Sequence, residues 1–375
     1  MDVARGTPLR DLDTPVMLID LDVMERNMRG MQEKADAAGV KLRPHTKTHR
    51  TPAIAKLQEA AGAAGITVAK LGEAEVMADA GLKDIFIANE IVGAVKLERL
   101  RRLVRRVPRL AVGADNPVHA RMLSSVMAGE PKPIDVLVDV NTGDPRTGMA
   151  PGKPTVELAK LIASLPGLRL RGIYTHDGQS YDAATADEVR AVNRESQRLM
   201  VETAELMRAE GLEVEEVSVG STPSLLLDGV LPGVTEIRPG TYIFMDADQA
   251  QVVGTYEHCA QTVLATVISR PTPERVVLDA GTKALTYYVQ TDGITRAPGH
   301  GRLKAHPEIF LDKKSDEHSS FDIPGGSGLA FEIGDLVEII PNHACPTTNL
   351  YDVLYAVRDG RVETVWPVLC RGKSQ

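Results

Sequence analysis

A lysine with basic neighbours is the part of this sequence best suited to chemistry. Lys47 lies in the run RPHTKTH at positions 43–49, close to Arg43, His45 and His49. Burial or nearby cations favour the neutral amine, which can attack a carbonyl carbon and form a Schiff base. The alternative is an exposed basic turn, because charge clusters usually face solvent. The segment alone predicts either feature equally well.

A histidine and a cysteine two residues apart form a candidate metal site. His343 and Cys345 lie in the run PNHACPTTNLYD at positions 341–352. In an extended segment the side chains at i and i+2 face the same way, so both can bind one cation. A thiolate favours zinc, whereas carboxylate and water ligands suit manganese or magnesium. Two protein ligands would leave positions for water and for a substrate hydroxyl, as a Lewis acid requires.

Two glycine-containing runs could hold an anionic ligand. Arg146 lies between the glycines of NTGDPRTG, which can hold a guanidinium over a ligand, or which form a surface loop with an incidental arginine. The run SVGSTPS contains Gly220, where the backbone can approach a phosphate, and the hydroxyls of Ser221 and Thr222. A helix that begins just after them would direct its first amides toward the anion. A simple helix cap is the alternative for this second run.

Eight short β-rich runs alternate with helical stretches between positions 41 and 237, which predicts a parallel (β/α)8 barrel. The predicted strands are 41–44, 66–69, 85–89, 110–113, 134–140, 170–175, 214–219 and a short strand near position 235. Active sites of such barrels lie at the C-terminal ends of the strands. Lys47, Arg146, His176 and the turn at Gly220 all follow a predicted strand. Tyr174 and His176 share strand parity and should point to one side, although a buried histidine with a backbone partner is the alternative for His176.

The rest of the chain is rich in β-strands and has almost no helical periodicity. Its predicted strands are 262–268, 275–278, 336–340, 354–358 and 362–365, and the polar stretch 298–324 is interpreted as a loop. The predicted fold class is therefore α/β, a TIM-type barrel followed by an all-β C-terminal domain. We expect the barrel to span residues 24–248 and the β-rich domain to combine residues 1–23 and 249–375. The assignment of residues 1–23 comes from the resemblance described below.

Composition excludes several classes of partner. The 375 residues carry a net charge of −8, which offers no attraction for nucleic acid or an anionic membrane. A small-molecule substrate is favoured. No apolar run approaches the roughly 20 residues of a membrane helix, and residues 1–13 lack the apolar core of a signal peptide, so we expect a cytoplasmic protein. The three cysteines are too few and too widely spaced to predict a disulfide framework.

The run around Lys47 resembles the Arg-Pro-His-x-Lys-x-His motif of the alanine racemase-like, fold-type III enzymes that use pyridoxal 5'-phosphate (PLP). Within them it is most similar to the D-serine dehydratases and D-threonine aldolases. The resemblance implies that Lys47 binds PLP covalently and that the protein is a homodimer. It also implies that Arg146 faces the phenolic oxygen of PLP. Asn141 stands where the family motif begins with aspartate, so only Arg146 is carried over from that motif.

Other segments resemble the same family. The implied cofactor contacts, besides Lys47 and Arg146, are Tyr174, Gly220, Ser221, Thr222, Gly240, Thr241 and Tyr242. The pair His343 and Cys345 resembles the His-x-Cys zinc site of the dehydratases, whereas the aldolases have His-x-Asp and prefer ions such as manganese. The resemblance thus implies a divalent metal, zinc or manganese, beside PLP.

Two lyase reactions are consistent with these features, and both take D-amino acids. One cleaves D-3-hydroxy amino acids to glycine and an aldehyde, and the other dehydrates D-serine or D-3-hydroxyaspartate to a 2-oxo acid and ammonia. The runs PTTNLYD, FMD and DAGTK resemble the aldolases, so our interpretation is a D-threonine aldolase type, with the dehydratase as the alternative. His176 or a water on the metal is the candidate base. A non-catalytic PLP protein made of a lone barrel is disfavoured, because the β-rich part carries His343 and Cys345.

Overall fold

The structure is a computed structural model that describes residues 3–288 and 290–375. The chain divides into two compact units. The barrel unit consists of Gly30–Lys47, Pro52–Gly240 and Gly372–Gln375, and the β unit consists of the N-terminal stretch up to Arg29, Thr48–Thr51 and Thr241–Arg371. Within the described residues, no helix has both the length and the apolar character needed to cross a lipid bilayer.

The barrel unit contains eight parallel strands. They are β2 (Lys41–Leu42), β3 (Ile66–Val68), β4 (Asp84–Glu90), β5 (Arg109–Ala114), β6 (Ile134–Asp139), β7 (Leu168–Tyr174), β8 (Glu216–Val219) and β9 (Glu236–Ile237). Their order is β2-β9-β8-β7-β6-β5-β4-β3. A parallel bridge between His45 and Thr67 joins the two ends of this order, and the amide of Thr67 donates to the carbonyl of Pro44 at 2.8 Å. The predicted parallel barrel is confirmed.

Helices alternate with these strands. They are α1 (Leu21–Ala38), α2 (Pro52–Ala60), α3 (Leu71–Asp79), α4 (Ala94–Val104), α5 (Pro117–Met127), α6 (Lys153–Ser164), α7 (Ala186–Ala209) and α8 (Thr222–Leu227). Local sequence fixes where several of them begin. Asn116 caps α5 by accepting the amides of Val118 and His119, and Pro117 takes the first helical position, where its missing N–H costs nothing. Thr185 caps α7 by accepting the amide of Glu188.

Small and aromatic side chains shape the inside of the barrel. Phe86, Ala111, Leu137 and Tyr174 form one buried cluster, in which the rings of Phe86 and Tyr174 meet edge to face at 5.0 Å. Gly113 lies opposite this tyrosine, and a β-carbon there would lie 2.3 Å from the Tyr174 hydroxyl. The glycine therefore gives the Tyr174 ring its room.

The β unit is built on a mostly antiparallel sheet. Its strands are β1 (Val16–Asp20), β10 (Gln261–Ser269), β11 (Arg275–Leu278), β12 (Arg302–Leu303), β13 (Lys313–Lys314), β14 (Ser319–Asp322), β15 (Leu336–Ile340), β16 (Val353–Arg358) and β17 (Arg361–Pro367). The main order is β13-β14-β11-β10-β1-β16-β17, and β15 pairs with β10 and β12. Two short helices, α9 (Ala247–Val253) and α10 (Ala344–Thr348), complete it. The all-β character predicted for the C-terminal part is confirmed.

The interpretation of residues 298–324 as a loop is wrong, because three strands lie within that stretch. β14 pairs with β11 on one side and β13 on the other, and it buries Phe321 completely in the core of the unit. A strand with a single large apolar residue gives almost no periodic signal in the sequence. Its pairing partner β11 lies about 40 residues earlier in the chain, so the contacts that define it are not local.

Candidate active site

A cavity of about 320 Å³ lies within the barrel unit. Five of the residues predicted from the sequence line it, namely Lys47, Arg146, Tyr174, His176 and Gly220. The other lining residues are His45, Ala69, Lys70, Ala88, Asn89, Glu90, Asp139, Thr147 and Arg238. Side chains from most of the barrel strands therefore meet at one place, as expected for the C-terminal ends of a (β/α)8 barrel.

Lys47 is held by the backbone just beyond β2. Its amide donates to Nδ1 of His45 at 3.3 Å, which keeps that nitrogen unprotonated. Lys47 is the last residue of its segment in the barrel unit, and the next residue, Thr48, begins a short segment of the β unit. The reactive lysine predicted from the sequence thus faces a polar cavity and is not part of a fully exposed turn.

Both histidines of the cavity are neutral. Burial, followed by the charge of Lys47, holds the pKa of His45 and of His176 well below the usual histidine value. The guanidinium groups of Arg146 and Arg238 add to this effect at both histidines, and a hydrogen bond that the His176 imidazole donates to the backbone of Gly220 opposes it only partly. Neutral imidazoles can accept a proton, which is what a general base must do.

Arg146 lies on a loop whose glycines are required by its geometry. Gly148 has φ +105°, and a β-carbon there would lie 2.6 Å from the backbone nitrogen of Asn141. Asn141 shapes the start of the loop, since its side chain accepts the amide of Gly143 at 2.9 Å. The Arg146 side chain is 58% exposed and its nearest acid is Asp144, at 3.7 Å. The guanidinium therefore remains available to a ligand in the cavity.

The turn after β8 has the properties of a phosphate-binding turn. Gly220 has φ +107°, and Ser221 precedes α8 without making a side-chain capping bond, so the alternative of a simple helix cap does not hold. The Ser221 hydroxyl donates to Asp177 at 3.2 Å. The Thr222 hydroxyl is buried and has no hydrogen-bond partner among the described residues. A bound anion would supply the acceptor that this buried donor lacks.

In the β unit, His343 and Cys345 lie next to each other but not along an extended segment as expected. His343 has β-region dihedral angles and immediately precedes α10, whereas Cys345 is in the first turn of that helix. A helix can start here because Pro346 lies in its first turn, where no amide donor is needed. The two side chains are hydrogen-bonded to each other. The two side chains are therefore in contact, although the backbone is helical at Cys345 and not extended as expected.

Asp246 orients His343. Its Oδ2 lies 3.2 Å from Nδ1 of His343 and also accepts the amide of Ala344 at 2.8 Å. Burial alone would lower the pKa of His343, but Cys345 and Asp246 outweigh it and hold that pKa well above its usual value. With Nδ1 occupied, Nε2 is the nitrogen left for a metal ion, an arrangement typical of histidine ligands. Among the described residues, no group of three or more acidic, histidine or cysteine side chains is arranged to hold a metal.

Family profiles and whole-chain relatives agree with these features. A profile described as alanine racemase, N-terminal domain, matches residues 19–248, and one described as putative serine dehydratase domain matches residues 260–357. The D-threonine aldolase of Arthrobacter sp. is 36% identical, with coverage of 99% of this chain and 96% of that protein. The chain belongs to the D-threonine aldolase and D-serine dehydratase family. It is an enzyme of the PLP-dependent, alanine racemase-like group.

Solved structures of this family are closely similar. The D-threonine aldolase from Filomicrobium marinum has a TM-score of 0.92 and 37% identity, with 100% of both chains covered. The D-threo-3-hydroxyaspartate dehydratase of Delftia sp. HT23 has a TM-score of 0.88 and 33% identity, covering 96% of this chain and 98% of that one. A cysteine-to-alanine variant of such a dehydratase was solved in its metal-free form, with a TM-score of 0.88 and 32% identity.

Not all residues that the family resemblance indicates lie in one unit. Gly240 is buried and ends the long segment of the barrel unit, whereas Thr241 and Tyr242 are the first residues of the β unit's main segment. Thr241 Oγ1 lies 3.7 Å from the Cys345 sulfur. Thr48 Oγ1 lies 3.3 Å from the same sulfur. Thr48 and Thr241 are the first residues of two segments of the β unit, and both contact Cys345.

Sequence reasoning missed Arg238 as a site residue, although its neighbours were singled out. The guanidinium is buried and donates to the carbonyl of Thr175 at 2.6 Å and to the hydroxyl of Ser218 at 2.5 Å. It also lies 5.2 Å from the centre of the Tyr174 ring. Arg238 lies two residues after Glu236 and just beyond β9, so in extended backbone the two side chains point to the same side. The cavity is thus lined by four basic side chains, Lys47, Lys70, Arg146 and Arg238.

Glu90 is a second missed residue of the cavity. Its carboxyl accepts a hydrogen bond from the Tyr174 hydroxyl at 3.4 Å. Burial and the charges of Asp139 and Asp115 raise its pKa to about 7. Tyr174 was predicted only to contact the cofactor, but it also joins this acidic cluster to the aromatic interior of the barrel.

We expect Glu90→Gln to stabilise the cofactor-free protein above pH 7. Because the pKa of Glu90 is raised in the folded state, ionisation of this carboxyl destabilises the folded protein. The loss of stability accumulates as the pH rises from about 4.5, the pKa in the unfolded chain, to about 7, the pKa in the folded protein. Glutamine imitates the protonated form, so the variant should gain about 2 kcal/mol at pH 8 and almost nothing at pH 5. Urea unfolding at both pH values measures this. The exposed Glu33→Gln is the control, and a loss of stability at pH 8 in Glu90→Gln would contradict the expectation.

Proposed function

We propose that this protein is a PLP- and divalent-metal-dependent lyase that cleaves D-3-hydroxy amino acids to glycine and an aldehyde. The observation that carries the proposal is a cation-rich cavity around Lys47 in a chain that also pairs His343 with Cys345. The relatives named above act on D-threonine or D-3-hydroxyaspartate. A substrate with a hydroxyl on its β-carbon is common to both.

The side chains of the cavity fit PLP. Lys47 would bind its carbonyl carbon, and Arg146 would stabilise the phenolate. The phosphate would be held by Gly220, Ser221 and Thr222 and by Gly240, Thr241 and Tyr242, and Tyr174 and His176 would flank the pyridine ring. The unpartnered Thr222 hydroxyl and the surplus of cations support this assignment. When bound, PLP withdraws electrons from the bond that breaks at the α-carbon of the substrate.

We propose that His343 Nε2 and the Cys345 thiolate hold the metal ion. A thiolate favours zinc over manganese, although either ion can act as a Lewis acid on a β-hydroxyl. The metal-free cysteine-to-alanine variant of the related dehydratase supports a role for the cysteine position. Asp246 would fix the orientation of His343 as a ligand.

His176 is the proposed general base. Its pKa lies well below the usual value, because it is buried near Lys47 and Arg146, so the imidazole is neutral at pH 7 and can accept a proton. Removal of the proton from the β-hydroxyl leads to cleavage of the Cα–Cβ bond. Removal of the proton at Cα instead, followed by loss of hydroxide, leads to dehydration.

Dehydration of D-serine or D-3-hydroxyaspartate is the second candidate function, and Cys345 favours it. The His-x-Cys pair resembles the dehydratase pattern more than that of the aldolases. The runs PTTNLYD and DAGTK point the other way. One chain thus combines the ligand pair of one branch with the flanking segments of the other.

Product analysis decides between the two reactions. The purified enzyme, supplied with PLP and either zinc or manganese, is incubated with D-threonine, D-serine and D-threo-3-hydroxyaspartate. Glycine together with an aldehyde establishes the aldolase, and a 2-oxo acid together with ammonia establishes the dehydratase. The L-enantiomers serve as controls and should be left unchanged. Sedimentation of the same sample tests the homodimer, which we also propose.

A further inference from the structure

We propose that Lys314 binds a carboxylate on the β-carbon of the substrate, so that the preferred substrates are D-3-hydroxy dicarboxylic amino acids such as D-3-hydroxyaspartate. This inference rests on the proposed function and names the substrate class. Lys314 was not singled out from the sequence. Within the described residues of the β unit, it is an ammonium with no acidic partner.

The surroundings of Lys314 are unusual for a lysine. The ammonium donates to the carbonyl of Thr286 and lies 5.4 Å from the centre of the Tyr287 ring. Burial lowers its pKa to about 8, with no nearby carboxylate to oppose the effect, so the group is still mainly protonated at pH 7. Two other lysines of the unit are paired, since Lys283 binds Glu317 and Lys304 binds Glu338, and Lys313 is exposed to solvent. The half-buried ammonium of Lys314, by contrast, has no acidic side chain paired with it among the described residues of the unit.

A buried nitrogen without a hydrogen-bond partner lies near Lys314. The imidazole of His300 stacks on Tyr287, with ring centres 6.2 Å apart. Burial and then the charge of Lys314 lower the pKa of His300, against the opposing charge of Asp312. Nδ1 of His300 is buried and has no hydrogen-bond partner among the described residues. A buried nitrogen without a partner is costly unless a ligand satisfies it. An anion bound at Lys314 would satisfy both groups if His300 donates from Nδ1.

The peptide segment that binds Lys314 also contacts the proposed metal ligands. The amide of Thr286 lies 3.3 Å from the hydroxyl of Thr347 in α10, and that hydroxyl donates to the carbonyl of His343 at 2.8 Å. The Tyr288 ring packs on the imidazole of His343 at 5.2 Å. Lys314 is therefore linked to His343 through one short segment of the same unit.

The covalent structure of a 3-hydroxy dicarboxylic substrate would bring its distal carboxylate to this part of the β unit. The hydroxyl and the distal carboxylate are attached to the same β-carbon, so a metal ion on the hydroxyl places the carboxylate close to the metal ligands. D-threonine has a methyl group at that position, which would leave the Lys314 charge without a partner. A charge-assisted hydrogen bond is about twice as strong as a neutral one. We therefore expect Lys314 to discriminate between the two substrates.

The test compares kcat/KM for D-threo-3-hydroxyaspartate and for D-threonine in wild type, Lys314→Met and Lys314→Arg. Loss of a charged hydrogen bond should lower kcat/KM for hydroxyaspartate by about 10- to 100-fold in Lys314→Met, with less than about a threefold change for D-threonine. Lys314→Arg should restore most of the loss. Lys313→Met, at the exposed neighbouring position of β13, is the matched control and should leave both substrates unaffected.

Binding of an unreactive analogue gives a readout that does not depend on turnover. D-aspartate has the β-carboxylate but no hydroxyl, and D-2-aminobutyrate has a methyl group in its place. Calorimetric titration of the loaded enzyme should show tighter binding of D-aspartate, and this preference should disappear in Lys314→Met. Thermal melting of each variant checks that it is folded.

Each outcome has a definite meaning. Equal losses for both substrates in Lys314→Met, or no loss for either, would overturn the assignment of Lys314, as would a failure of wild type to prefer D-aspartate. If neither hydroxy amino acid is cleaved or dehydrated by wild type, the proposed function fails. The D-aspartate titration still decides the role of Lys314 in that case.

Discussion

Replacing Lys47 by alanine is expected to remove covalent attachment of PLP and to lower kcat by on the order of 10⁴-fold or more, as for loss of a covalent catalyst. Lys47 lines a cavity together with two neutral histidines and the guanidinium groups of Arg146 and Arg238. The visible absorbance of the lysine-bound cofactor should disappear. Borohydride reduction followed by peptide mass mapping should place PLP on the wild-type peptide that contains Lys47.

The control for this variant is Lys56→Ala, an exposed lysine of α2. It should keep both the absorbance and the activity. Cofactor found on another lysine in wild type, or undiminished activity of Lys47→Ala, would rule out the proposed role. Circular dichroism excludes unfolding as the cause of any loss.

Replacing His343 or Cys345 by alanine is expected to abolish turnover while the protein keeps its cofactor absorbance. A Lewis acid on a reacting oxygen contributes several kcal/mol, so kcat should fall on the order of 10³-fold. Bound metal, measured by elemental analysis after dialysis, should fall below one ion per chain. Full metal content and activity in both variants would remove the metal role.

Two further substitutions make this test specific. Asp246→Asn should weaken metal binding by about 10- to 100-fold, because Asp246 orients His343 without being assigned as a ligand. Cys345→Asp should shift the metal preference from zinc toward manganese, because a carboxylate is the harder ligand. His306→Ala, a half-buried histidine elsewhere in the β unit, is the control and should keep both metal and activity.

Much of the barrel could be predicted because its signals are local. Each barrel strand is a short β-rich run beside a helical stretch, and all eight occur where the alternation predicts them. Lys47, Arg146 and His176 could be singled out because residues just after parallel strands meet at one end of a barrel. The structure places all three on one cavity.

The failures involve contacts between distant parts of the chain. β14 is a strand because β11 and β13 pair with it, not because of its own sequence. Cys345 lies in α10, whose first turn contains Pro346, and Asp246 accepts the amide of Ala344 at the start of that helix. In both places the local pattern was compatible with more than one conformation.

The sequence by itself determined the barrel, and it indicated Lys47 and the pair His343 and Cys345 as candidate site residues, because periodicity and motif spacing involve only a few neighbouring residues. Only the tertiary structure decided which charges remain unpaired. Burial and the charges of Asp139 and Asp115, which are distant from Glu90 in the chain, raise the pKa of Glu90. Burial lowers the pKa of Lys314, with no acidic side chain to oppose the effect. Burial and charge pairing are sums over such neighbours, so no local pattern can give them.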